Sequence, residues 1–228
     1  MRLAKPRVDI GLNTNTLEPM LAFWQHEIGV PFDHLLPIRR GQNQHRHDLL
    51  GSALKINHFA EPLPPAPPAG YAEVLIARPG LSGIVVTPDH DGTLVARVPP
   101  GTFGIDQIGI KLRVRDLEQH KRFYAQALGL AEIAHARGAA FRAGETVILL
   151  EESEDAPSDA QFQGAGFRYI TFQVFKCDDA HAHILSHGGR EAMRPTTLGT
   201  TARISMVRDP DGNWIEISQR ASITGSLA

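Results

Sequence analysis

The densest run of groups able to move protons, bind anions or ligate metals is Gln44-His45-Arg46-His47-Asp48, followed by Lys55-Ile56-Asn57-His58. Side chains alternate across a strand, so His45 and His47 share one face. Lys55 and Asn57 likewise share a face, opposite Leu54 and Ile56. Two chemistries are open to this cluster. His45 and His47 could ligate a metal with Asp9 or Glu73, since imidazole plus carboxylate suits iron, manganese or zinc. Alternatively, His45, Arg46 and Lys55 hold an anionic substrate while a histidine acts as acid and base. The substrate pocket is the favoured reading, because converging polar groups beside an apolar pattern mark sites.

Further along, Arg203 alternates with Ile204 and Met206, and arginines so placed suit carboxylate or phosphate ligands. His183 and His187 have metal-ligand spacing on a helix, but an exposed helix face accounts for them. The one cysteine, Cys177, excludes an internal disulfide and a cysteine-based zinc site. There is no phosphate-binding glycine loop and no Gly-x-Ser-x-Gly elbow. The net charge of −2 draws the chain neither to nucleic acid nor to an anionic membrane. No apolar run reaches the length of a membrane span, and the start lacks the apolar stretch of a signal peptide. A cytoplasmic protein with a small-molecule substrate is expected.

What must position these groups is a repeat. Leu17-Glu18, Phe23-Trp24 and Gly29-Val30 match Leu117-Glu118, Phe123-Tyr124 and Gly129-Leu130 at a constant offset. An alternating segment precedes each copy, Val8 to Leu12 and Gln107 to Leu112, and alternation reads as a half-buried strand. Leu17, Met20, Leu21, Trp24 and Ile28 recur at helical spacing, as do Leu117, Tyr124 and Leu128. A third copy starts at Arg168, with a strand through Val174 and a helix from Asp178 to His187. Strands follow at Ala202 to Val207 and Trp214 to Ser218, around the turn Asp209-Pro210-Asp211-Gly212-Asn213. A fourth copy at 71–98 lacks room for a helix and reads as truncated. The proline-rich stretch from Glu61 to Gly70 is a stiff connector, Pro99-Pro100-Gly101 separates the halves, and Glu151 to Gly166 reads as an exposed loop. The halves are 1–98, with a full module at 8–60 and the truncated one at 70–98, and 106–220, with modules at 106–152 and 167–220.

With Phe123-Tyr124, Leu128-Gly129-Leu130 and Asp209-Pro210-Asp211-Gly212-Asn213-Trp214-Ile215-Glu216, this pattern resembles the vicinal oxygen chelate superfamily of glyoxalases, resistance proteins and extradiol dioxygenases. The resemblance implies an α+β fold of tandem βαβββ modules forming cup-shaped mixed sheets. The stretch 106–220 is expected to be one complete pair. The resemblance also implies a divalent metal (Fe, Mn, Ni or Zn) held near the start of each first strand and in each last strand. On those positions Glu216 is the terminal ligand, and Gln107 lies near the first, with Gly109 a competing alignment. Tyr169 replaces a histidine, Ile148 falls at the usual acidic position, and Ala96 stands for Glu216 in the truncated module. A family-like cup turns Lys55 and Asn57 inward with Asp9, Asn13 and Glu73, and turns Lys111 and Arg113 inward if Gln107 faces inward.

Catalysis is thus expected from His45, His47, Glu216 and Tyr169. Substrate binding falls to Asp9, Lys55, Asn57, Arg113 and Arg203, and metal binding to Gln107 and Glu216. If Glu216 has no such role, it is a carboxylate paired with an arginine such as Arg203. The implied activity is isomerisation, epimerisation or lyase chemistry through an enolate-type intermediate on a small oxygenated, anionic substrate. The alternatives are a metal-free binding or resistance protein, and a ring-cleaving dioxygenase. Modules paired between chains would make a homodimer, whereas four modules also allow one chain to close its own cups.

Overall fold

Alternating sequence produces strands with one apolar and one polar face, and two curled sheets result. The computed structural model describes residues 1–225 and 227. The first module comprises β1 (Asp9–Thr14), α1 (Leu17–Ala22), β2 (Phe32–Arg39), β3 (Gln42–Leu49) and β4 (Ser52–Phe59). The truncated module contributes β5 (Tyr71–Ala77), β6 (Val85–Pro88) and β7 (Leu94–Val98). The third provides β8 (Ile108–Val114), α2 (Leu117–Arg122), β9 (Ala131–Ile133), β10 (Ala139–Ala143) and β11 (Thr146–Glu152). The last has β12 (Gly166–Gln173), α3 (Cys177–Ser186), β13 (Arg190–Leu198), β14 (Ala202–Arg208) and β15 (Trp214–Arg220), ending in α4 (Ala221–Thr224).

The helices α1 and α2 each run on into a wider π turn, at Phe23–Glu27 and Phe123–Ala127. Each then stops at a glycine in the left-handed region, Gly29 and Gly129. The π turns let the successive aromatics Phe23-Trp24 and Phe123-Tyr124 both reach the core, where all four are buried.

The modules do not pair by halves. One sheet has eight strands, ordered β13-β14-β15-β12-β1-β4-β3-β2, and joins the first module to the last. The other has seven, ordered β6-β7-β5-β8-β11-β10-β9, and joins the truncated module to the third. The expectation that 106–220 forms one paired unit is therefore corrected: its two modules lie in different sheets. The seams are antiparallel, β1 against β12 and β5 against β8. Both cups are closed within this one chain.

Strand parity divides core from cup. Ile10, Leu12, Leu54, Ile56, Ile170, Phe172, Ile215 and Ile217 are fully buried in the main core. The residues between them face the concave side, among them Asp9, Asn13, Lys55, Asn57, Tyr169, Thr171 and Glu216. A one-residue slip would exchange the two sets, so this burial fixes the register. Gly11 is required by proximity: a Cβ there would come within 2.1 Å of the Tyr169 ring.

Candidate functional site

The eight-stranded cup encloses a cavity of about 450 Å³, within the usual range for small-molecule sites. Its floor holds three hydrogen-bonded groups. Lys55 Nζ donates to Thr171 Oγ1 at 2.6 Å and to Glu216 Oε2 at 3.0 Å. Thr171 Oγ1 in turn donates to the same Glu216 oxygen at 3.0 Å. Asn57 Nδ2 donates to Asn13 Oδ1 at 3.1 Å and to the Tyr169 hydroxyl at 3.2 Å, and its own oxygen accepts from Gln44. Arg46 completes the chain by donating to Gln44 Oε1 at 3.1 Å. Asp9 accepts from Lys5 Nζ at 2.7 Å, Ala53 N at 2.8 Å and Gln173 Nε2 at 3.0 Å. The walls are apolar, with Leu36 and Ile38 on one side and Met193, Leu198, Ile204 and Met206 on the other.

Burial sets the charge states. It pulls the Lys55 pKa below the ordinary lysine value, against the opposing pull of Glu216 and Asp9. Burial alone would raise Asp9, but Lys55, Lys5 and the Ala53 hydrogen bond bring it below the usual carboxylate value. Burial, then the Glu216 charge, pushes the Tyr169 phenol up, so it is neutral. The floor thus holds Lys55 against Glu216, Asp9 against Lys5, and a neutral phenol.

A family model, the Glyoxalase/Bleomycin resistance protein/Dioxygenase superfamily, matches residues 104–217. The chain belongs to this superfamily. No curated protein sequence matches it. Among solved structures it is similar to a mutant of glyoxalase I from Zea mays, with a TM-score of 0.80 at 14% identity, over 100% of this chain and 96% of that one. It is also similar to a putative dioxygenase from Bacillus subtilis subsp. subtilis str. 168, with a TM-score of 0.69 at 12% identity, over 96% of this chain and 86% of that one. At such identities the likeness shows the glyoxalase-like fold alone.

Register relates the two modules of this cup position by position. Lys55 lies beside Gly11 in the parallel pair β1/β4, as Glu216 lies beside Thr171 in β12/β15. Across the seam Asp9 faces Thr171 and Gly11 faces Tyr169. The two modules are therefore related by a pseudo-twofold axis, with Lys55 the counterpart of Glu216 and Asp9 of Tyr169. The four positions hold a carboxylate, an ammonium, a phenol and a carboxylate. This set does not fit a divalent metal. A neutral phenol is a poor ligand, both carboxylates are bound to lysines, and the Lys55 ammonium is already the cation between Thr171 and Glu216. Among the described residues no three His, Cys, Asp or Glu side chains are grouped as a ligand set.

The second cup is built alike and holds different groups. By the same register Gly109 takes the place of Asp9, Leu149 that of Lys55, Glu73 that of Tyr169 and Ala96 that of Glu216. Ile148 faces the main core instead, which corrects its expected place at the acidic position. Ile105, from the connection after β7, is fully buried against Leu75, Ala96, Val147 and Leu149. Its side chain would clash with any Cβ at position 109, at 2.4 Å.

The structure separates the residues expected to act together. Asp9, Lys55, Asn57, Tyr169 and Glu216 converge in the eight-stranded cup. His45 and His47 do not: β3 turns Gln44 and Arg46 inward and the histidines toward α1. There Gln25 Nε2 lies 3.0 Å from His47 Nε2, and burial lowers the pKa of both imidazoles. Gln107 and Glu216 belong to different sheets and so form no common ligand pair; Gln107 precedes β8, and its carbonyl accepts from Ala77 N. Arg113 is exposed at the rim of the second cup. Arg203 faces α3 and binds both carboxylate oxygens of Asp178, at 2.8 and 3.1 Å. Glu216 pairs with Lys55 rather than with Arg203.

Sequence reasoning missed Thr171, Gln173 and the roof. The segment 153–165, expected to be an open loop, is tied down across the cup. Asn13 Nδ2 donates to the Phe162 carbonyl at 2.7 Å and Trp214 Nε1 to that of Ala160 at 2.7 Å. The Phe162 ring packs 5.3 Å from Tyr169. Strand parity counted from Asp9 and Tyr169 would have found Thr171 and Gln173; no sequence pattern points to Phe162.

Proposed function

We propose that this chain is an enzyme that moves a proton on a small oxygenated, anionic substrate held in the eight-stranded cup. One observation carries the reading: the Lys55 ammonium sits at the cavity floor, bound to Thr171 and Glu216, where ligand positions of the superfamily converge. Lys55 acts as a fixed cation for the oxygen that gains charge in an enolate. A charge preorganised in a dry site is worth far more than one in water. Glu216 takes the proton from the neighbouring carbon and returns it, giving isomerisation or epimerisation, or elimination if a leaving group is adjacent. Tyr169, neutral and already accepting from Asn57, has its own proton free to orient a substrate oxygen. The apolar walls accept the rest of a short carbon chain, and the cytoplasm is the compartment that fits the reading.

The test is proton exchange. Wild-type protein is incubated in D2O with a panel of small 2-oxo and 2-hydroxy acids, and deuterium at C3 of the oxo acids and C2 of the hydroxy acids is followed by NMR. Exchange that survives a chelator and is lost in Glu216→Gln supports the proposal. Exchange that a chelator abolishes, or that Glu216→Gln leaves unchanged, contradicts it.

A second reading is a metal-free binding protein, favoured by the engagement of both floor carboxylates with lysines. It predicts binding of a panel member with no exchange at all. Ring cleavage of a catechol is not favoured, because the donor set does not fit the iron that such chemistry uses.

A further inference from the structure

Beyond the floor, the cavity has an end wall of unusual charge. A second, more open cleft of about 520 Å³ lies at the ends of β2, β3 and β15. The cavity of the cup and this cleft share only Arg46 and Arg220 among their linings. The two arginines therefore border both spaces.

Arg46 is 7% exposed. It donates to Gln44, and its Nε is buried without a partner. Arg220 is close enough that Arg46, after burial itself, lowers its pKa. Among the described residues neither arginine has a carboxylate within ion-pair distance. The acids that face them, Asp9 and Glu216, are committed to Lys5 and Lys55. At the cleft rim, Asp33 pairs with His34, and Asp48 caps Gly51 N. Two like charges drawn together out of water repel, and each lacks the partner that normally offsets its desolvation. Planar guanidiniums match the oxygens of carboxylate and phosphate by paired hydrogen bonds.

We propose that Arg46 and Arg220 together form an oxyanion site, reached from the open cleft, that takes a carboxylate or phosphate group. The site deepens the proposed function by locating the acid group of the substrate at the end of the cavity, away from the Lys55–Glu216 floor. It does not depend on turnover. The same chemistry would serve a free inorganic anion, and the two sources differ in length. A substrate's acid carries a chain that runs back along Met206 and Ile204, whereas an inorganic anion does not.

The experiment is thermal unfolding of the full chain against inorganic phosphate, with sodium chloride holding ionic strength constant. Wild type, Arg46→Gln, Arg220→Gln, Arg220→Lys and Glu216→Gln are compared. Stabilisation should saturate with phosphate in wild type and in Glu216→Gln. The apparent dissociation constant should weaken at least tenfold in either arginine-to-glutamine variant and by less in Arg220→Lys, which keeps the charge and loses the fork. Hexanoate competing with phosphate more strongly than acetate does would identify the acid as a substrate's own. Equal, weak competition by both would identify a free anion. Absence of a saturable effect in wild type, or equal dissociation constants in all five proteins, overturns the site. Loss of exchange activity in Glu216→Gln with phosphate binding intact bears on the proposed function alone.

Discussion

Two cups with the same strand order have been filled in opposite ways. In the eight-stranded cup the counterpart positions carry Asp9, Lys55, Tyr169 and Glu216 around an open cavity. In the seven-stranded cup they carry Gly109, Leu149, Glu73 and Ala96, and Ile105 occupies the space beside Gly109. The truncated module has no helix between β5 and β6, and the connection after β7 packs Ile105 against Leu75, Ala96, Val147 and Leu149. Polar groups in a low-dielectric cleft cost stability unless paired, whereas apolar ones contribute to it. The eight-stranded cup thus gathers polar groups at its counterpart positions, whereas in the other cup those positions are mostly apolar and the Glu73–Lys111 ion pair lines a separate cleft of about 500 Å³.

Substitutions at matching positions put this contrast to the test. The strongest response should be functional and one-sided. Glu216→Gln should reduce α-proton exchange by about 10²–10⁴-fold, the usual worth of a positioned base, while Ala96→Ser at the matching place in the other cup leaves the rate unchanged. Equal losses would show that the cups are not specialised.

Stability should respond to both centres. Lys55→Met leaves Glu216 and Asp9 without their shared cation and should cost about 3–5 kcal/mol, as for other broken buried pairs. Ile105→Ala should cost about 2–5 kcal/mol through the cavity it opens. Chemical denaturation measures both, and only Lys55→Met should also abolish exchange.

A smaller effect concerns the ties behind the roof. His120 is fully buried, 3.6 Å from Asp209 and 3.5 Å from Asp211. Burial lowers its pKa, but the nearby Asp209 carboxylate, the hydrogen bond to the Asp116 carbonyl and the Asp211 charge raise it overall. A folded-state pKa above the unfolded one gives stability that is fully present below about pH 6.5. That stability is lost as pH rises through the folded value. Asp211 also fixes the roof, its carbonyl accepting from Asp159 N at 2.7 Å. Stability of wild type should therefore fall across the window above pH 6.5, and His120→Asn should flatten that slope. Gly11→Ala, whose Cβ would meet the buried Tyr169 ring, should displace that ring. It should weaken ligand binding in the eight-stranded cup by a few fold, read by titration, while Gly29→Ala should leave binding alone.

The fold was legible because periodicity and repeated spacing are local. The matching of Phe23-Trp24 with Phe123-Tyr124, and of the turn Asp89-His90-Asp91-Gly92 with Asp209-Pro210-Asp211-Gly212, marks the modules without any knowledge of contacts. Which modules share a sheet was not legible. Pairing β1 with β12 spans most of the chain, and nothing within either strand encodes its partner. The site was half legible for the same reason. Lys55 and Asn57 share a face by strand parity, and Asp9, Tyr169 and Glu216 are what the family resemblance implies, but their meeting depends on the long-range seam. His45 and His47 misled because a histidine-rich strand reads as chemistry on either face, and only the register of β3 against β4 shows that Gln44 and Arg46 are the ones turned inward.

The proposed role of the open cup turns on the Lys55 ammonium acting in place of a metal. Calorimetric titration of Mn²⁺ and Zn²⁺ into wild type and Lys55→Glu probes it head-on, with thermal unfolding showing that both are folded. No binding to wild type and a gained divalent site in Lys55→Glu, whose carboxylate joins Asp9 and Glu216, is the predicted result. Stoichiometric binding to wild type that is lost in Glu216→Ala would contradict it.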